Sequence, residues 1–213
     1  MFQDYSLKRE NNILEKLSKE EIDTLGEIAN ISMGNAATNL SLMVNHKVNI
    51  TTPCVEFIKR SQALDDYEKT CIFIQIHYIK GLSGNNVFVL KENDALVLTD
   101  LMMGGTGENV QGEMGELQLS AMSEAMNQMM GASATSMATM LDMMVDIGTP
   151  EINTIDVESV KIFEKMFDEG NDSFVKITFK MDVEGLIDST MVQLYPVHFA
   201  REMCDKFNYE ASK

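Results

Sequence analysis

Apolar and polar positions along this chain follow two different spacings. From about Lys19 to Met43 the apolar residues Ile22, Leu25, Ile28 and Ala29 recur three and four apart, the spacing of one helix face. Ser18 and Glu21 form an S-x-x-E capping box, so this helix is predicted to begin near Lys19. Val48-Asn49-Ile50 then alternates with the period of a strand, ahead of Pro53. The runs 71–78 and 86–90 predict two further strands framing Gly84-Asn85, a hairpin signal. Helical spacing returns over 94–102. The second half goes through the same series: a helix over about 116–143, a strand near Val145, strands in 173–182 and 187–194, and a helix from about Val197 to Phe207.

That likeness extends to residue identities. Sliding residues 20–58 over 117–155, an offset of 97, gives 12 identities in 39 positions without a gap. Average residue usage would give roughly two or three by chance. Glu27 falls on Glu124, Asn30 on Asn127, Gly34 on Gly131, and Thr52-Pro53 on Thr149-Pro150. Gly81-Leu82 and Gly185-Leu186 correspond at an offset of 104, so the second copy carries a few extra residues. The chain is a duplication. We expect an N-terminal segment 1–17 and one domain over 18–213, built from repeats of about 18–103 and 116–213 with a glycine-rich connector at 104–115. Neither half is large enough to hide both faces of its own sheet. The expected class is α/β in the α+β sense: a pseudo-twofold fold with two long antiparallel helices on a β-sheet.

Composition narrows the function. The 213 residues hold 33 Asp and Glu against 17 Lys and Arg, a net charge of −16, and are 45% apolar. So acidic a chain is repelled by phosphate backbones and anionic membranes, so no nucleic-acid partner is expected. No stretch is apolar enough to predict membrane insertion, and there is no apolar signal core at the N-terminus. Cys54, Cys71 and Cys204 are scattered, as are His46, His77 and His198, so no metal site is predicted. The reading is cytoplasmic. Eighteen methionines, nine of them between Met114 and Met144, are read as a flexible core, with an exposed minority left to contact a partner.

The chemistry lies on the long helices. Each carries a Glu and an Asn three apart and therefore on one face: Asp23-x3-Glu27-x2-Asn30, then 22 residues to Pro53, and Ser120-x3-Glu124-x2-Asn127, then 22 residues to Pro150. A single such pair is ordinary surface. Its recurrence at one register is not, because Asn is a mediocre mid-helix residue. A carboxamide both donates to a phosphoryl oxygen and accepts from a water. Gly34 and Gly131 leave two readings open: close packing between the helices, or room for another protein's backbone.

The doubled motif resembles the CheC, CheX and FliY family of chemotaxis phosphatases, and within it the CheC-like domain of the flagellar motor-switch members. The segments 119–131, 31–38 and 48–53 carry the likeness, which extends from about Leu17 onward. The resemblance implies a phosphatase acting on the phosphoaspartate of the response regulator CheY. The regulator supplies Mg2+, and no cofactor belongs to this chain. Asn30 and Asn127 would position the attacking water; Glu27 and Glu124 would pair with a lysine of the regulator. Flagellar switch proteins or a CheD-like partner, and a place at the flagellar motor, are further implications. The alternative is a non-catalytic regulator-binding or switch module using the same helical face. Motor-switch members continue into a FliN-like domain that this sequence lacks before Lys213, so an excised portion and a free-standing member both stand. Leu17-Ser18-Lys19-Glu20-Glu21-Ile22-Asp23-Thr24-Leu25 also resembles the family's regulator-binding peptide, but is read as the start of the first long helix.

Overall fold

Helix α1 (Lys19–Val44) starts where its capping box sets it. In the computed structural model the Ser18 hydroxyl accepts from the Glu21 amide at 3.1 Å, and the Glu21 carboxylate accepts from the Ser18 amide at 2.6 Å. Leu17 and Leu25 are buried, which anchors the peptide-like segment 17–25 as the first turns of α1. The structure describes residues 17–63, 71–155 and 173–213, so the expected segment 1–17 lies, except for Leu17, outside the described residues. β1 (Val48–Lys59), a 3-10 turn (Arg60–Gln62), β2 (Cys71–Lys80), β3 (Gly84–Lys91) and α2 (Glu92–Met102) follow. The second copy gives α3 (Glu116–Met140), β4 (Asp146–Ile147), β5 (Glu151–Ile155), β6 (Ser173–Val183), β7 (Ile187–Pro196) and α4 (Val197–Ala211).

Three boundaries differ from the pattern reading. β1 runs through Pro53 instead of stopping ahead of it. Its register against β6 shifts between Thr51 and Cys54, and this bulge on an edge strand accommodates a residue that cannot donate to the ladder. The hairpin turns at residues 81–83, not at Gly84-Asn85. Gly81 has the positive φ (81°), whereas Gly84 lies in β3, where a Cβ would run into the Phe199 ring. Helix α3 ends at Met140, short of Met143, because Asp142 takes a left-handed backbone (φ 43°) that redirects the chain.

All pairings are antiparallel, in the order β1-β6-β7-β3-β2-β4, with β5 also on β2. This order interleaves the copies. β1 of the first repeat pairs with β6 of the second, while β4 and β5 of the second pair with β2 of the first. The seam is the β3–β7 pairing of 87–89 with 192–194, where Phe88↔Gln193 and Val89↔Val192 are images of each other at the offset of 104.

The topology also orients the long helices. α1 leads into β1, whose first residue Val48 pairs with the end of β6 at Val183. α3 leads into β4, where Ile147 pairs with Tyr78 near the end of β2. Three antiparallel steps separate β6 from β2, so these strands run in opposite directions and finish at opposite ends of the sheet. The helices touch, with Asn35 donating to the Ser136 hydroxyl at 2.6 Å, and therefore run antiparallel.

One large apolar cluster lies between the four helices and one face of the sheet. It includes Met122, Met126, Met129, Met130 and Met137, so this methionine stripe is core. Strand alternation places the even residues of β2 (Ile72, Ile74, Ile76) on that face and Cys71 and Phe73 on the other, in a smaller cluster with Phe174 and Leu194.

Candidate functional site

With Leu25, Ile28, Ala29 and Met33 turned into the core, the helical period of 100° per residue turns Asp23, Glu27, Asn30 and Gly34 to solvent. α3 does the same: Ala125, Met126, Met129 and Met130 are buried, and Ser120, Glu124 and Asn127 are exposed. All four predicted site residues thus stand on the outer faces of the two long helices. They form two Glu/Asn pairs, not one cluster. The side chains of Glu27, Asn30 and Asn127 have no hydrogen-bond partner among the described residues; Glu124 accepts from the Gln128 side chain at 2.8 Å. Where the second copy carries Gln128, the first carries Ile31, which is 41% exposed. The two pairs therefore share a scaffold but not a local environment.

The glycines can now be decided. A Cβ built at Gly34 or at Gly131 meets nothing within 4 Å. Close packing between the helices does not require them, and they leave bare backbone on the motif face.

Between the helices runs an open groove of about 710 Å³. Asn35, Thr38 and Asn39 of α1 line it opposite Ala132, Thr135 and Ser136 of α3. Asn127 and Gln128 also line it, as does Asp146 of β4. Its lining is rich in carboxamides and hydroxyls, and among the described residues Asp146 is its one ionisable side chain. Motif reading missed Asn35, Asn39 and Gln128 as site neighbours. Two more mid-helix asparagines were the available signal, since Asn is as costly there as at position 30.

Other chemistry is weakly provided for. Burial pushes the Cys71 thiol up and the Cys204 thiol up to about 12, with Glu21 and Asp205 adding to the latter, so neither supplies a thiolate. Cys54 is exposed on β1, directly after Pro53 and 24 residues beyond Asn30. His77 sits in β2 with its Nδ1 2.6 Å from the Asn85 side-chain oxygen and its Nε2 3.7 Å from Glu151. Among the described residues no group of three or more His, Cys, Asp or Glu is placed to hold a metal ion. No described helix is long and apolar enough to cross a membrane.

Comparison with known proteins places this geometry in a lineage. A model of the CheC-like family matches residues 20–56 and 117–154, one segment per repeat. The chain is 43% identical over 190 residues to the flagellar motor switch phosphatase FliY of Bacillus subtilis, covering 89% of this chain and 50% of that protein. It thus spans about half the length of that relative. It is 22% identical over 166 residues to the CheY-P phosphatase CheC of the same organism, covering 75% of each. The crystal structure of Thermotoga maritima FliY superposes with a TM-score of 0.85 at 35% identity, covering 91% of this chain and 98% of that one.

Proposed function

The chain belongs to the CheC-like family, and from that premise we propose that it is a phosphatase for the phosphoaspartate of a CheY-type response regulator, working in chemotaxis and flagellar motor switching. The observation that carries this reading is the twin exposed Glu/Asn pair, at one register of two helices, whose asparagines are engaged by no described group. A carboxamide left unpaired on an exposed helix is available to a docked partner.

Hydrolysis of an acyl phosphate needs little from a helper. Water attacks phosphorus, the bond from phosphorus to the aspartyl oxygen breaks, and inorganic phosphate leaves as the carboxylate is regenerated. Transfer of this kind gains most from positioning and from stabilising the spreading negative charge. In this reading Asn30 or Asn127 accepts from the attacking water and donates to a phosphoryl oxygen. Glu27 or Glu124 pairs with a regulator lysine and holds the two proteins in register. In this reading the Mg2+ that screens the phosphoryl group is the regulator's. The acidic balance of −16 favours a protein substrate with a basic patch over small phosphate esters. A cytoplasmic place near the flagellar motor, with switch proteins or a CheD-like protein as further partners, goes with the same reading.

The test is the decay of purified phosphorylated regulator with and without the chain. Faster decay that depends on Asn30 and Asn127 supports the phosphatase. Tight binding with unchanged decay would leave a regulator-binding module in its place.

A further inference from the structure

The centre of the groove has a property that neither Glu/Asn pair has alone: it is its own image. Shifted by 97, Asn35, Thr38 and Asn39 become Ala132, Thr135 and Ser136, and all six line it. The bond from Asn35 to Ser136 fixes the register of the antiparallel helices at this point. The groove therefore straddles the pseudo-twofold axis. Beyond that centre the groove reaches the second copy's pair, where Asn127 and Gln128 line it while their counterparts Asn30 and Ile31 do not; the pseudo-twofold places Asn30 at the equivalent distance on the other helix.

The spacing follows from helix rise. Asn30 lies five residues before Asn35, and Asn127 lies nine before Ser136 on a helix running the other way. At about 1.5 Å per residue the asparagines are roughly 21 Å apart along the pair. A compact domain of about 100 residues has a radius of gyration near 13 Å and so is roughly 34 Å across. Two such partners centred 21 Å apart on one face overlap, and the strip they contest is the groove.

Building on the phosphatase reading, we infer that the groove is a docking platform common to both Glu/Asn pairs, and that one phosphorylated regulator occupies it at a time, in either of two orientations related by the pseudo-twofold. The occupant is the regulator because the groove is continuous with Asn127. The polar, nearly uncharged lining suits a footprint that must serve both orientations, with specificity left to Glu27 and Glu124 at the far ends. The duplication then supplies two ways to capture one substrate, not room for two.

Two measurements test this on the full chain. Calorimetric titration with a regulator bearing beryllium trifluoride on its phosphoacceptor aspartate, in Mg2+, is expected to give one regulator per chain; Asn30→Ala and Asn127→Ala should each leave that ratio at one. Thr38→Arg and Thr135→Arg, exposed and away from both pairs, are then placed in each single-asparagine background. Either arginine should raise KM at least about tenfold for both pairs, while kcat at saturation and thermal stability hold. Two regulators per chain, or an arginine that impairs only one pair, would overturn the shared platform while leaving the phosphatase intact. Failure of the unaltered chain to bind regulator or to speed decay would overturn both.

Discussion

At the scale of single residues the asparagines carry the sharpest expectation. Removing one preorganised polar group at a developing charge typically costs about 10²–10³ in rate. Asn30→Ala or Asn127→Ala alone should leave about half the activity at low regulator concentration, since the other pair still works. The double variant should fall to the regulator's spontaneous rate while still binding it, read by phosphoregulator decay and titration. Glu27→Ala with Glu124→Ala should weaken binding as well. Asp94 offers a different kind of test. Burial raises its pKa above the ordinary 3.8, with Ser189 and Lys91 pulling partly back, and its Oδ2 has no hydrogen-bond partner. The folded state thus binds this proton more tightly than the unfolded chain, and stability falls as pH rises through the raised value. Asp94→Asn is expected to stabilise the protein at pH 7 and to do so progressively less toward pH 4, measured by urea unfolding at both.

At the scale of elements, the two glycines on the motif face make a prediction because nothing crowds them. Gly34→Ala or Gly131→Ala should gain about 1 kcal/mol of helix stability, or roughly 2–4 °C in Tm for a chain of this size. If bare backbone serves the regulator, the same substitutions raise KM. A melting curve beside a turnover assay separates the two effects. Ser18→Ala should lose about 1 kcal/mol by undoing the capping box. Much at this scale was legible in the sequence. The box at Ser18 and Glu21 set the start of α1, and the spacing of Leu25, Ile28 and Ala29 set which face is buried. The hairpin turn was misplaced because a glycine beside an asparagine signals a turn locally, whereas Gly84 answers to Phe199, more than a hundred residues away. Pro53 read as a stop because the bulge that absorbs it is a property of the pairing with β6.

For the molecule as a whole, the repeat at offset 97 made the duplication and the paired motifs readable. The exchange of strands was not, since no local pattern says which hairpin an outer strand will join. The exchange predicts that neither half folds alone. A fragment ending at 103 lacks the β6 partner of β1, and a fragment starting at 104 lacks the β2 partner of β5. Each should show collapsed NMR dispersion by itself and recover the native spectrum when the two are mixed. The interleaving also sets a timetable for synthesis. β1 is complete at Lys59, but its partner strand begins only at Ser173, about 110 residues later. At 5–20 residues per second, β1 leaves the ribosome some 6–22 s before anything native can pair with it. Through that wait its open ladder is guarded by Pro53, which offers no amide, and by Glu56 and Lys59, which are exposed charges. The newborn chain needs those gatekeepers more than the finished protein does.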